Sequence, residues 1–509
     1  MTNVATSVTE LLQSGEADAR ALSGPAATPL SYAALRELLA DTLRVLNSRG
    51  IGRNDRVAIV LDNGPQMAAA FLAIAAGASA APLNPGYRAD EFEFYLSDLR
   101  AKLLIVEADK DSPALGVAAK LAIPVARLRA AAGRGAGAFQ LEFPAGTSLP
   151  APAASGAAAP DDIALVLHTS GTTSRPKIVP LAQRNICASA HHIRRTLQFT
   201  PGDRGLNIMP LFHIHGLIAG ILAPLSAGSE VFCTPGFNAL KFFGWMAEAK
   251  PTWYSGVPTM HQAILSRASK SSEIIRAHPL RFIRSSSSSM PPQVIRELEA
   301  VFHAPVIEAY SMTEAAHQMT SNPLPPGERK PGSVGVAAGP EVCILDQSGE
   351  IVAPGVTGEI AIRGPNVMSG YENNPKANAE AFSNGWFRTG DQGVMDQAGY
   401  VTITGRLKEI INRGGEKISP REVDEVLLDH PAVAQCVTFA IAHDKLGEEV
   451  AAVIVLREGA SATEKELREF AAVRLVDFKV PRKILFRDEV PKGATGKLQR
   501  IGLAQKLGL

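Results

Sequence analysis

The chain has 509 residues, too many for one hydrophobic core of ordinary size, so at least two domains are expected. Its composition is that of a globular protein, with 46% hydrophobic residues, 20% charged residues and a net charge of +1. This balance excludes a basic tract for nucleic acid and an acidic interaction tail. Any anion that the protein binds must therefore be held by a local group of residues.

Cysteine usage and the N-terminal segment bear on the compartment. The four cysteines stand far apart with no CxxC pair, which favours a reducing, cytoplasmic location over a disulfide framework. The first twenty residues carry no basic n-region and no long apolar run, so no signal peptide is predicted. Met67–Leu83 is uncharged and almost long enough to span a bilayer. Because it is mostly alanine, with Gly77 and Pro82 near its end, it predicts a buried helix running into a strand instead of membrane insertion.

The first half of the chain alternates short apolar runs with helical patterns. Strands are predicted at Arg56–Leu61, Ala80–Pro85 and Ala101–Ala108, with helices between the first two strands and over Glu91–Leu99. This alternation predicts parallel βαβ units. Residues 131–160 are rich in Ala, Gly and Pro and lack periodicity, which predicts a loose surface connection.

A second alternating region begins at Asp162 with a strand that runs into the sequence HTSGTT. Four later segments repeat the pattern of an apolar run followed by small, hydroxyl or His residues: GLNIMPLFHIHGL, AKPTWYSGVPT, HPLRFIRSSSSSM and APVIEAYSMTEAAH. Ligands of parallel sheets collect where loops leave the carboxyl ends of the strands. We therefore expect these segments to contribute to one site.

The character of the sequence changes near Gly405, where charges and glycines become dense. Ser419, Pro420 and Glu422 have the spacing of a capping box with proline at the first helical position, so a helix is predicted to begin there. A strand over residues 432–441 and a second helix over Lys465–Leu475 should follow. The last hundred residues thus predict a separate small α/β domain.

The stretch LHTSGTTSRPKIVPL, residues 167–181, combines hydroxyls, a glycine and a lysine after a strand. Gly171 permits a tight turn and Lys177 supplies a point charge, while hydroxyl donors come from Thr169, Ser170, Thr172 and Thr173. Together they form a plausible cradle for a triphosphate. The pattern is not the GxxxxGK[ST] loop, because no glycine precedes Lys177 and no Ser or Thr follows it. From these residues alone, phosphate binding and a solvated polar turn both stay open.

The segment AYSMTEAAH, residues 309–317, places an aromatic ring, a hydroxyl and a carboxylate after a strand. Tyr310 could stack on a purine, and Glu314 could hold Mg²⁺ against phosphate oxygens. The alternative is a helix start with a buried tyrosine.

Five motifs occur in the order found in adenylate-forming enzymes: SGTTSRPK, YSMTE, GWFRTGD, GRLKEIINRGGEKISP and PKGATGK. The chain resembles that family, which comprises acyl-CoA synthetases, luciferases and peptide-synthetase adenylation domains. The resemblance implies an α/β fold with a large N-terminal domain of mixed α/β subdomains and a small mobile C-terminal α/β domain. By the motifs, these domains should cover residues 1–404 and 409–509, joined by a hinge at residues 405–408.

The resemblance also implies a reaction and the residues that carry it. A carboxylate attacks the α-phosphate of Mg²⁺-bound ATP to give an acyl-adenylate and diphosphate, and the thiol of coenzyme A then displaces AMP. The implied catalytic residues are Lys497, Thr169 and Glu314, and Glu314 is also the implied Mg²⁺ ligand. The implied ATP and AMP contacts are Thr169, Ser170, Gly171, Thr172, Thr173, Lys177, Ser288, Glu308, Ala309, Tyr310, Thr313, Asp391 and Arg406. Lys408 matches the hinge, and Gly414, Gly415 and Lys417 match the coenzyme A contacts.

Two departures from the family pattern concern the substrate. Ser174 and Ile178 stand where glycines are frequent, and the usual SGxAPL stretch here reads SSSSSM over Ser285–Met290. Imidazoles at His213 and His317 join this serine run, and such donors suit a small, strongly anionic acid better than a hydrocarbon. His213 is expected to line the acyl pocket, while His215, two residues later, is expected to pack structurally. A metal site at this HxH pair and a surface position for His317 are the alternatives.

These features resemble one subgroup of the family, the oxalate–CoA ligases. The resemblance implies that the second carboxylate of oxalate contacts His213, Ser287, Ser289 and His317, while the first lies beside Lys497. Arg284 could add positive charge, but an outward-facing strand arginine is the favoured interpretation. A ligase for malonate or another short dicarboxylate shares the motifs and stays open, as do a carrier-domain adenylating protein and a non-catalytic nucleotide sensor. The expected partners are small molecules only (oxalate, ATP and coenzyme A), with no nucleic acid, and the chain should be a monomer or homodimer.

Overall fold

The structure is a computed structural model that describes residues 4–146, 149–169, 176–288, 290–490 and 500–509. Within these ranges, no helix is both long enough and apolar enough to cross a membrane. The prediction for Met67–Leu83 is confirmed, since a helix at Pro65–Ala75 leads into a strand at Ser79–Pro82. From Met67 onward every side chain of that helix is buried.

The first sheet has seven strands, and its five inner strands pair parallel. The two edge strands pair antiparallel. Helices connect the parallel strands, so the predicted βαβ units of the first half are confirmed. In order across the sheet the strands are Phe139–Glu142, Val125–Ala130, Leu103–Glu107, Arg56–Val60, Ser79–Pro82, Ile163–Thr169 and Lys177–Ala182.

The prediction of a loose surface connection over residues 131–160 is wrong at one place. The strand Phe139–Glu142 pairs antiparallel with Val125–Ala130 at the edge of the first sheet. Phe139 is buried, whereas the other three side chains of this strand face solvent at least in part. A four-residue strand between glycine-rich turns is too short to leave an alternating pattern in the sequence.

The second sheet has nine strands, six of which pair parallel in an unbroken block. Separate hydrophobic clusters cover its two faces, with Phe282 in one cluster and the next residue, Ile283, in the other. This is the second alternating region predicted from the sequence. Across the sheet the strands are Val336–Ala337, His317–Ser321, Val306–Met312, Phe282–Ser286, Trp253–Gly256, Arg204–Asn207, Glu230–Cys233, Arg20–Ser23 and Leu30–Ser31.

Two smaller five-stranded sheets complete the fold of the residues that the structure describes. The third sheet contains Glu341–Leu345, Gly358–Arg363, Trp386–Met395, Phe382–Ser383 and Val401–Arg406. The fourth contains Glu416–Ile418, Ile411–Arg413, Gly447–Leu456, Val433–His443 and Lys483–Phe486. The fourth sheet has its own hydrophobic cores, which confirms a small α/β unit at the C-terminal end.

Helices pack between and around the four sheets. A π-helix spans His215–Leu222 and packs against the large second sheet. The α-helices are Val8–Leu11, Tyr32–Ser48, Pro65–Ala75, Ala89–Leu99, Pro113–Lys120, Gln183–Thr196, Ala223–Leu225, Phe242–Ala249, Pro258–Ala268, Ser272–Ala277, Pro292–Phe302, Pro375–Ala381, Pro420–Leu428, Glu464–Ala472 and Leu503–Lys506.

The helix predicted at Ser419 begins as expected, but without its capping box. Pro420–Leu428 is helical, yet the side chain of Ser419 caps no backbone N–H. Its hydroxyl instead donates to the carbonyl of Thr404, across the segment that joins the third and fourth sheets. Both carboxylate oxygens of Glu422 accept from Lys479 Nζ at 2.7 Å. Both side chains that the capping box would have used therefore bond to residues distant in the sequence.

Candidate active site

Two groups of polar residues gather around the carboxyl ends of neighbouring strands in the second sheet. Phe282–Ser286 and Val306–Met312 pair parallel, so the serine run and the Tyr310–Glu314 segment leave the sheet at the same edge. We call the first group the nucleotide cluster: Tyr310, Glu314, Tyr371, Asp391 and Arg406. We call the second group the acyl cluster: His215, Arg284, Ser287 and His317.

Asp391 is the centre of the nucleotide cluster. Its carboxylate accepts from the hydroxyl of Tyr310 and from Arg406 Nε, the latter at 3.0 Å. Asp391 and Arg406 are direct cross-strand partners in the third sheet, which fixes their spacing. Burial and the neighbouring Asp391 raise the pKa of Tyr310, and Asp391 raises the pKa of Arg406. The structure thus brings together three residues that the sequence predicted separately.

Glu314 is buried beside a tyrosine that the sequence analysis missed. Tyr371 Oη donates to Glu314 Oε1 at 2.8 Å, and Lys177 Nζ lies 4.2 Å from the centre of the Tyr371 ring. Burial raises the pKa of Glu314, although Tyr371, Arg406 and Lys177 all act to lower it. Tyr371 had no motif to mark it, since only its position after Gly370 in a loop distinguishes it.

The donor set at Glu314 fits Mg²⁺ that arrives with a nucleotide. Mg²⁺ is usually held by one or two carboxylates together with phosphate oxygens, so a single protein carboxylate suffices. Glu314 offers one buried carboxylate, and the Lys177 cation lies over the ring of the tyrosine that donates to it. The described part of the chain contains no group of three or more His, Cys, Asp or Glu that could hold a metal by itself.

Other predicted nucleotide contacts differ in their surroundings. Glu308 is buried, accepts from the backbone N–H of Gly332 at 3.2 Å, and has its pKa raised by burial to about 8. Ala309 is buried, Thr313 is half-buried and Ser288 is exposed. Thr169 lies directly opposite Lys177 in an antiparallel pair. The predicted residues Ser170, Gly171, Thr172, Thr173, Ser289 and Lys497 lie outside the described residues.

His215 contacts the other residues of the acyl cluster and so links them. Its ring nitrogens lie 3.1 Å from Ser287 Oγ and 2.7 Å from Ser255 Oγ, and its ring centre lies 4.8 Å from that of His317. It is fully buried, as a packing residue should be, but its contact with Ser287 also makes it part of the candidate acid site. His213 is half-buried, and its Nδ1 accepts from the backbone N–H of His215 at 3.5 Å.

His317 and Arg284 are buried, which corrects two alternatives. The ring of His317 has 0% exposure, so the surface position is wrong for it. Arg284 was expected to face outward, yet it also has 0% exposure. Its strand is central in a sheet that is covered on both faces, and such a strand has no outward side. Burial lowers the pKa of Arg284 to about 9.

The predicted hinge and coenzyme A residues lie at the start of the fourth sheet. Lys408 is exposed in a turn after Val401–Arg406. Gly414 and Gly415 form the two-residue turn of a hairpin with φ of +59° and +98°, a conformation that favours glycine at both positions. Lys417 is exposed on the second strand of this hairpin, and its Nζ contacts Asn412 Oδ1.

Comparison with known proteins gives the class of this enzyme. The main domain of the AMP-binding enzyme family matches residues 12–372, and the C-terminal domain of that family matches residues 422–497. The chain belongs to this family, and its large and small α/β units are those of an adenylate-forming enzyme.

Its relatives narrow the class to AMP-forming acyl-CoA synthetases, ligases that use ATP and coenzyme A. An oxalate–CoA ligase of Arabidopsis thaliana is 46% identical over 494 residues, covering 96% of this chain and 95% of its own. An oxalate–CoA ligase of Saccharomyces cerevisiae is 42% identical over 489 residues, covering 89% of this chain and 87% of its own. Among solved structures, ATP-bound MatB from Rhodopseudomonas palustris superimposes with a TM-score of 0.88 at 30% identity, covering 98% of each chain.

Proposed function

We propose that the enzyme is an oxalate–CoA ligase that converts oxalate, ATP and coenzyme A to oxalyl-CoA, AMP and diphosphate. The observation that carries this proposal is the acyl cluster. His215, Ser287 and His317 offer polar groups backed by the cation of Arg284, and no described carboxylate pairs with that cation. A hydrocarbon chain would place apolar groups against these polar side chains and leave the charge of Arg284 unbalanced, whereas the second carboxylate of oxalate accepts a hydrogen bond from Ser287 and balances that charge. The similarity to two oxalate–CoA ligases over most of the chain supports the same substrate.

In the first half-reaction, an oxalate oxygen attacks the α-phosphorus of ATP, and the bond to the departing diphosphate breaks. Asp391 accepts hydrogen bonds from the ribose hydroxyls in our proposal, and the ring of Tyr310 stacks on the adenine. Residues 169–173 and Lys177 hold the phosphates that leave as diphosphate. Glu314 would hold Mg²⁺, which would supply neutralising charge to the phosphates. Lys497 bridges the attacking carboxylate and the α-phosphate, so the chemistry depends on positioning and charge.

In the second half-reaction, the coenzyme A sulfur attacks the acyl carbon, and the bond to AMP breaks. We propose that the unit of residues 409–509 rotates about residues 405–408, with Lys408 as the hinge. That rotation withdraws Lys497 and brings Gly414, Gly415 and Lys417 to the pantetheine chain. The glycines allow close approach because they carry no side chain.

A substrate panel tests this function. The purified protein is assayed with ATP, Mg²⁺ and coenzyme A against oxalate, malonate, acetate and hexanoate, and AMP and the acyl-CoA product are quantified. We expect kcat/KM for oxalate to exceed that for malonate about 10- to 200-fold, the discrimination that one methylene group allows. Turnover of malonate without turnover of oxalate would refute the oxalate assignment. AMP release that does not depend on coenzyme A would refute the acceptor.

A further inference from the structure

Arg284 is a fully buried cation whose described neighbours include no acid. Arg284 takes part in no salt bridge among the described residues, and burial alone lowers its pKa. Ser255 and Ile307 are its direct partners on the two neighbouring strands, so the three side chains lie on the same face of the second sheet. That is the face from which His215 reaches Ser255.

Among the described residues, the guanidinium makes two polar contacts, both of them long and neither with an acid. Nη1 lies 3.4 Å from His215 Nε2, and Nη2 donates to Gln318 Oε1 at 3.4 Å, while Nε has no partner in the described structure. The orientation of Gln318 is fixed, because its amide nitrogen donates to Thr196 Oγ1 and to the carbonyl of Ala338. Its oxygen is therefore the atom that faces Arg284.

A buried guanidinium normally has a carboxylate partner, because removing a charge from water is strongly unfavourable without one. With its pKa lowered to about 9, Arg284 still keeps its proton near pH 7. The sheet thus maintains a positive charge directly behind the imidazole of His215, whose other nitrogen contacts Ser287.

We propose that Arg284 is a positioning residue that supplies the countercharge for the second anionic group of the substrate, acting across His215. The proposal rests on the proposed function for the position of the acyl pocket at Ser287 and His317. A monocarboxylate uses its only charge at the α-phosphate, whereas a dicarboxylate brings a second charge to the acyl cluster. Arg284 is therefore the residue that makes the enzyme select dianions, by attraction through a water-excluded interior.

The first arm of the test measures stability without substrate. The variant Arg284→Met keeps the length of the side chain and removes its charge. Because that charge lacks an acid, we expect the melting temperature to stay level or rise. Arg281→Met is the matched control, since Arg281 lies just before the same strand and pairs with the buried Asp203. This control should melt lower. A fall of about 5 °C or more in Arg284→Met would show a structural role and overturn the proposal.

The second arm measures substrate charge preference by ATP–diphosphate exchange. Arg284→Met should raise the KM for oxalate about 30-fold or more, the effect of removing one partner of a buried charge pair. The KM for ATP, and the KM or inhibition constant of the monoanion glyoxylate, should change less than about threefold. Arg284→Lys should recover a large part of the loss, and Arg281→Met should keep the wild-type preference. An unchanged KM for oxalate, or equal losses on oxalate and glyoxylate, would overturn the proposal.

The wild-type protein separates this proposal from the proposed function. If it activates malonate and not oxalate, the oxalate assignment fails, and Arg284→Met is then judged on malonate against glyoxylate in the same way. If it activates oxalate and Arg284→Met leaves the KM for oxalate unchanged, the oxalate assignment stands and the role of Arg284 fails.

Discussion

The nucleotide cluster and the acyl cluster lie at one edge of the same sheet but balance charge in opposite ways. In the nucleotide cluster, Asp391 and Arg406 pair with each other, and Glu314 has Tyr371 as a donor and Lys177 nearby. In the acyl cluster, the polar contacts of Arg284 among the described residues are an imidazole and an amide oxygen.

The difference corresponds to the ligand that we propose for each cluster. Adenosine is a neutral group that needs oriented donors and acceptors, so a cluster whose charges already compensate each other can receive it without a desolvation penalty for a free charge. A small dianion needs an excess of positive charge instead. The charge balance of each cluster thus agrees with the charge of the ligand that we propose for it.

The largest effect is expected from a variant that disrupts the charge balance of the nucleotide cluster. Asp391→Ala leaves Arg406 and the hydroxyl of Tyr310 without their acceptor, and it removes the proposed ribose contact. We expect kcat/KM for ATP to fall about 100-fold or more in steady-state assays. Glu341→Ala is the control, because Glu341 and Arg363 form a cross-strand pair in the same sheet that is exposed. It should change kcat/KM less than about threefold, and an equal effect of both variants would contradict the assignment.

A smaller effect is expected from one hydroxyl of the acyl cluster. Ser287→Ala removes the group that contacts His215, and kcat/KM for oxalate should fall about 10- to 100-fold with the KM for ATP unchanged. Ser285→Ala, two residues earlier, is the control, since its buried hydroxyl has no partner among the described residues. Its activity should be that of the wild type. Similar losses in both variants would contradict a specific role for the Ser287 hydroxyl.

The third prediction concerns the pH dependence of adenylation. Tyr371→Phe removes a hydrogen bond that lowers the pKa of Glu314, so the pKa, already raised by burial, should rise further. If the ionised carboxylate is required, the acid limb of the exchange rate should move to higher pH by about one unit. Tyr400→Phe, which loses only a surface contact with the Glu328 carbonyl, should keep the wild-type profile. A shift to lower pH in Tyr371→Phe would contradict the role of this bond.

The smallest effect concerns Glu308, a buried acid of the nucleotide side that accepts a backbone hydrogen bond from Gly332. Its folded pKa of about 8 exceeds the ordinary 4.5, so the unfolded chain loses this proton at lower pH than the folded protein. Stability should therefore fall as pH rises from about 4.5 to about 8 and level off above. Glu308→Gln lacks this fall and should melt roughly 2–4 °C above the wild type at pH 8.5, with no difference at pH 4. The exposed Glu328→Gln should follow the wild type at both pH values; a Glu308→Gln protein that does the same would show that Glu308 is ionised in the fold.

Local patterns predicted most of the fold and the motif-bearing side of the site. The βαβ alternation, the buried helix before Ser79 and the start of the Pro420 helix were all readable, because periodicity and proline placement act over a few residues. The short strand Phe139–Glu142 and the missing cap at Ser419 were not, because distant pairing decided them. Tyr371 was invisible for the same reason: it meets Glu314 from 57 residues away.

The sequence by itself determined that this chain is an adenylate-forming enzyme, since five motifs in order specify the chemistry wherever the chain places them. Only the tertiary structure decided that Arg284 is buried. It also brought His215 into contact with Ser287, which lies 72 residues away in the sequence. A central strand of a parallel sheet is covered on both faces, so no alternation reveals which way its residues point. The order of the strands and the residues that pack on them decide on which face of the sheet the arginine lies. They also decide whether its positive charge is left for a substrate to balance.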